Sequence, residues 1–218
     1  MILMITPTVI KKYLVSPELL PAMPLKETYK TIHSHILSKL RNGLSKDLTY
    51  HTVHHTLYVL EQAERIARNE NIENEEDMFL LKVACLYHDS GFLVTYTGHE
   101  EESCNLVKNE LPRFGINQKQ LELICGLIMA TKIPQTPYNK MEEIICDADL
   151  DYLGTADFFA ISDTLFLELK IKGFVNTKKE WDAIQVNFLK EHRYFTATSK
   201  KLREEQKLIH LKVVESMI

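Results

Sequence analysis

The chain has 218 residues, 45% of them hydrophobic and 26% charged, the mixture of an ordinary globular protein with one core. Asp and Glu outnumber Lys and Arg by 30 to 26, so the sequence lacks the basic excess that duplex nucleic acid demands and fits a small-molecule partner better. The apolar residues 1–5 stop at Thr6-Pro7, too short for a signal-peptide core or a bilayer span, which predicts a cytoplasmic protein with no membrane partner.

Residues 1–25 carry Pro7, Pro17, Pro21 and Pro24, which interrupt any continuous helix, and are expected to form a loosely structured N-terminal arm. Residues 26–218 are expected to fold as one helical domain. Tyr29, Ile32, His33, Ile36, Leu37 and Leu40 recur at helical spacing, and Gly43 follows where a terminator belongs. A second helix is predicted over about 48–68. A third starts at the cap Asn74 with Glu75, Glu76 and Asp77 in its first turn, where carboxylates complement the helix dipole. Its continuation from Met78 to Tyr87 is apolar almost all round, which places it at the domain centre. It ends in His88-Asp89, two polar side chains that need partners there.

Further helices are predicted at about 99–111, 117–131, 139–152, 156–172, 178–192 and 197–216. Asn117 with Gln120 and Thr177 with Glu180 form capping-box patterns. No alternating strand pattern stands out and glycine is sparse, at 7 residues, so the fold class is all-α, a single helical bundle. The four cysteines form no C-x-x-C pair and read as reduced core residues.

Three segments carry the chemistry: Tyr50-His51 through His54-His55, His88-Asp89-Ser90-Gly91, and Asp147-Ala148-Asp149-Leu150-Asp151. On a continuous helix His51 and His55 share a face one turn apart, with His54 about 60° away, a stripe suited to one metal ligand and one proton-handling group. Imidazoles with carboxylates suit zinc, iron, manganese or nickel, and a mixed set with open positions suits catalysis. Such an ion lowers the pKa of bound water and withdraws charge from a phosphoryl group. Asp147 and Asp151 are read either as acceptors orienting the ligand imidazoles or as a helix-end cap and an exposed acid.

In order, His55, His88-Asp89 and Asp149 reproduce the H…HD…D signature, and the chain resembles the HD superfamily of helical, metal-dependent phosphohydrolases over roughly residues 48–155. His88-Asp89-Ser90-Gly91 resembles the family's HD-x-G, and Ala148-Asp149 resembles the segment that provides its last ligand. Tyr50-His51 followed by His55 is similar to the Y-H-x-x-x-H start of the cyclic-nucleotide phosphodiesterase branch, which favours His55 over His54. The resemblance implies one divalent ion (Mn, Ni, Fe, Zn or Mg) held by His55, His88, Asp89 and Asp149. It further implies hydrolysis of a nucleotide or similar small phosphoester by a metal-bound hydroxide, with Asp89 at the reacting centre and His51 as general acid.

Some relatives bind two metals through two further histidines. His99 stands where the first belongs, but Thr131-Lys132 occupies the place of the second, which favours a mononuclear site over a di-iron oxygenase. Lys132, His99 and Arg193 are the candidate substrate contacts. A non-hydrolysing metal- or nucleotide-binding regulatory module is the rival reading. The arm and the last helices are also candidate surfaces for a homodimer.

Overall fold

The computed structural model describes residues 24–218. Among them are nine α-helices, three short 3-10 turns and no strand. In chain order the helices are α1 (Leu25–Gly43), α2 (Val53–Asn69), α3 (Glu75–Tyr87), α4 (His99–Glu110), α5 (Gln118–Ala130), α6 (Lys140–Asp149), α7 (Phe158–Ile171), α8 (Lys178–Glu191) and α9 (Ala197–Glu215). The predicted N-terminal arm lies, through residue 23, outside the described residues.

The caps fall where their residue types predict. Asn74 accepts from the backbone of Glu76 and Asp77, and both capping boxes are formed. One boundary differs. The second helix begins at Val53, because the Thr52 side chain accepts from His55 N and caps it there. His51 therefore lies in the turn before α2 and not on its helical stripe.

α3 is the axis of the core. Phe79, Leu80, Leu81, Val83, Ala84, Cys85, Leu86 and Tyr87 are all buried, and α1, α2, α5 and α6 pack around it. Placing this apolar run at the centre forces His88-Asp89 to emerge deep inside the bundle. A second apolar cluster, which includes Tyr152, Phe158, Leu189 and Val214, joins α7, α8 and α9 to the 3-10 turn Asp151–Gly154. Gly154 permits that approach, since a Cβ there would sit 2.4 Å from the Arg203 carbonyl oxygen.

Asp151 ties the two parts together. It is fully buried and accepts hydrogen bonds from Arg65 Nη2 (2.8 Å), Arg203 Nε and Nη2 (2.9 and 2.8 Å) and the Tyr58 hydroxyl (2.8 Å). It is thus neither an exposed acid nor an orienter of the ligand imidazoles, but the anionic centre of a structural network. Asp147 accepts from Phe195 N, Thr196 N and Thr196 Oγ1, which anchors the entry to α9.

Candidate metal centre

Four side chains from four positions in the fold meet at one point. His55 comes from the first turn of α2, His88 from the C-cap of α3, Asp89 from the residue after it, and Asp149 from the last residue of α6. His55 Nε2 lies 3.1 Å from Asp149 Oδ1 and 3.4 Å from Asp89 Oδ2. His88 Nε2 lies 3.1 Å from Asp89 Oδ2, 3.6 Å from Asp149 Oδ1 and 3.4 Å from His55 Nε2.

The surroundings aim these atoms. His88 Nδ1 donates to the Cys85 carbonyl (2.8 Å), which fixes the ring and aims its Nε2 at the cluster. Ser103 Oγ donates to the His88 carbonyl (2.7 Å) and accepts from Gly91 N (2.8 Å), pinning the turn that holds both HD residues. Gly91 is required there, because a Cβ would sit 1.9 Å from the His99 carbonyl oxygen. The glycine brings α4, and His99 with it, against the cluster.

Electrostatically the centre favours cations. Burial alone would raise the Asp149 carboxyl, but the hydrogen bonds and charges of His55 and His88 outweigh it and hold the group at about 2. Asp89 is likewise held well below the usual carboxylate range against the opposing effect of burial, chiefly by His88 and His55. Asp89 Oδ2 is buried yet makes no hydrogen bond, an arrangement that costs free energy unless a cation meets the oxygen. Two imidazoles that can give up their Nε2 protons to a metal and two ionised carboxylates, one of them with an orphaned oxygen, are the donor set of a transition-metal site, so these residues fit a divalent ion. His55, His88 and Asp89 alone bring their ligand atoms within 4.8 Å of one another.

His51 stands beside this group. Its Nδ1 donates to Glu168 Oε1 (2.5 Å), and Glu168 also accepts from Tyr50 N (2.9 Å), His51 N (3.1 Å) and the Tyr96 hydroxyl (2.9 Å). Glu168 lies on α7 and is fully buried. Burial would raise its carboxyl, but the His51 hydrogen bond and charge, with the two backbone donors, hold it at about 2. The Phe92 ring stacks on His51 at 4.2 Å on one side and on His99 at 3.9 Å on the other. His99 Nδ1 donates to the Tyr96 carbonyl (3.2 Å), and its Nε2 lies 3.4 Å from Asp89 Oδ1.

The cluster opens into a cavity of about 610 Å³ lined by His51, Asp89, His99, Lys132 and Asp149 among others. Lys132 is exposed at its wall and ion-paired with Glu101. Arg193 does not line this cavity. Its guanidinium is exposed and donates to the Lys190 carbonyl at the end of α8 (3.1 Å), the role a helix C-terminus gives a cation. His54 is exposed and faces a separate hollow.

The HD domain family model matches residues 52–151. The chain carries an HD domain. The matched stretch spans all four clustered residues. The fold is similar to that of a predicted HD superfamily hydrolase from an uncultured Thermotogales bacterium, with TM-score 0.58 and 20% identity over 89% of this chain and 97% of the other. It is equally similar to Bacillus subtilis YpgQ in complex with ADP, at TM-score 0.60 and 21% identity over 89% and 96% of the two chains. A Lactobacillus plantarum protein gives TM-score 0.60 at 15% identity, over 88% and 97%. No curated protein matches the sequence.

The HD stretch ends at residue 151, before Glu168. Sequence reading passed over Glu168, although it is the only charged residue between Asp163 and Lys170 in the otherwise apolar run Leu165-Phe166-Leu167-Glu168-Leu169. A lone carboxylate in such a run is the signal that marks a buried, partnered acid.

Proposed function

We propose that this HD-domain protein is a metal-dependent phosphohydrolase that cleaves a phosphoester or phosphoanhydride of a nucleotide or a related small metabolite. The observation that carries this reading is the convergence of His55, His88, Asp89 and Asp149 on one buried point, with Asp89 Oδ2 left without a hydrogen-bond partner, at the floor of an open cavity.

A divalent ion bound by these four residues supplies Lewis-acid activation of water and of the phosphoryl group. The protein's own part is positioning and proton handling. His51, with Nδ1 engaged by Glu168, presents its other nitrogen to protonate the departing oxygen, and Glu168 fixes the ring. Phe92 stacked on His51 keeps the ring from rotating away. His99 beside Asp89 and Lys132 at the wall are the substrate contacts of this scheme. The ADP held by YpgQ, a protein of similar fold, supports a nucleotide as substrate.

The test is a turnover screen of protein loaded in turn with manganese, nickel, iron, zinc and magnesium. Substrates are nucleoside monophosphates, nucleoside diphosphates, cyclic nucleotides, an alkyl phosphate and a chromogenic phosphodiester. Metal-dependent hydrolysis that disappears in His55→Ala and Asp149→Ala is expected. Absence of turnover on every class with every ion would replace this reading with that of a non-hydrolysing binding module.

A further inference from the structure

The cavity above the metal centre is charged at one end only. At the other end its wall is built by α7 and α8, whose Leu165, Leu169, Trp181, Ile184, Phe188 and Leu189 face the same space. The polar groups on this side are already engaged. Trp181 Nε1 donates to Ser162 Oγ (3.1 Å), while Gln185 accepts from Ser162 Oγ (2.5 Å) and donates to Asp182 (3.2 Å). The Tyr96 hydroxyl is bound to Glu168.

Among the described residues, Lys132 is the only lysine or arginine lining the cavity, and it is paired with Glu101. Three carboxylates, Asp89, Glu100 and Asp149, line it too. With Lys132 paired to Glu101 and His51 to Glu168, a divalent ion does not outweigh the three. One phosphoryl group can meet that ion. A second or third would be pushed against hydrocarbon and engaged side chains, losing hydration without replacement hydrogen bonds. An apolar group in the same place would gain from burial.

Resting on the phosphohydrolase reading above, we infer that the substrate is an organic phosphoester with a single phosphoryl group and an apolar aryl or hydrocarbon body. Within the phosphoester or phosphoanhydride class proposed above this selects the phosphoesters, and it sets the chain apart from YpgQ, which holds ADP: nucleoside di- and triphosphates are disfavoured. α7 and α8, which lie beyond the HD stretch, set this specificity.

Trp181 is the chain's single tryptophan, so occupancy of the apolar end is read from its fluorescence without any turnover. The full chain, loaded with manganese, is titrated with octylphosphonate, methylphosphonate and ADP. Octylphosphonate is expected to shift Trp181 emission and to bind at least about tenfold tighter than either of the others, from the burial of its added methylenes. Ile184→Lys, at a wall position 45% exposed, is expected to weaken octylphosphonate and strengthen ADP. ADP binding tightest to the unaltered protein, or equal affinity for the two phosphonates, would overturn the inference. The hydrolysis screen keeps the two readings apart. Turnover of nucleoside diphosphates in preference to the alkyl phosphate sinks the specificity and leaves the hydrolase. Absence of turnover on every class, with octylphosphonate still bound tightly, sinks the hydrolase and leaves the apolar site.

Discussion

His51 Nδ1 lies 2.5 Å from Glu168 Oε1, linking the turn before α2 to the last turn of α7 across 117 positions of sequence. The pair couples the HD stretch to helices outside it. If His51 is the proton donor, Glu168 acts through it, and Glu168→Gln is expected to lower kcat by about 10- to 100-fold with little change in KM. Metal content should be unchanged, and the acidic and basic limbs of the kcat profile should move relative to the unaltered enzyme. An unaltered pH profile with a proportionate loss of active protein would mean that Glu168 serves the fold alone.

The same carboxylate makes stability depend on acid. Glu168 is lowered from 4.5 to about 2 in the fold, so its contribution is fully present above the unfolded value and is lost as pH falls from about 4.5 through about 2. The effect is on the order of 2–3 kcal/mol, given the fully buried side chain. Urea unfolding at a series of pH values should show Glu168→Gln less stable than the unaltered protein at pH 6, with the gap closing toward pH 2. A gap that stays constant over that range contradicts the assignment.

Replacing Asp151 should destabilise the fold through the arginines it holds. Asp151→Asn leaves Arg65 and Arg203 facing a group without charge in a buried setting, at a cost of about 3–5 kcal/mol. Equilibrium unfolding measures this directly, and a loss under about 1 kcal/mol would show that solvent reaches the network.

Gly91→Ala is expected to displace His99 from Asp89, because the added Cβ falls on the His99 carbonyl with no flexible side chain to yield. A drop in melting temperature together with weakened metal retention is the expected result. Unchanged values for both would mean that α4 can move without disturbing the centre.

What was legible in the sequence is what local pattern encodes. The all-round apolar run of α3 announces a central helix, and Asn74, Asn117 and Thr177 mark starts that the structure reproduces. His55, His88, Asp89 and Asp149 could be singled out because each sits at a helix end beside a recognisable motif. Helical geometry misplaced His51, since Thr52 caps α2 and leaves His51 in the turn. Long-range pairings were not legible. Nothing near Asp151 in sequence names Arg65 and Arg203, and nothing near Arg193 tells that α8 turns it away from the cavity. Such contacts depend on how α7, α8 and α9 dock, which packing decides and periodicity does not.

The central claim is that His55, His88, Asp89 and Asp149 bind one divalent metal ion. Metal content by plasma mass spectrometry, on protein purified without added metal, tests it in unaltered, His55→Ala and Asp149→Ala chains. About one equivalent of a single metal in the unaltered protein, lost in both variants, is the predicted result. Protein that holds no metal after incubation with manganese, nickel, iron and zinc, or variants that retain a full equivalent, would contradict it.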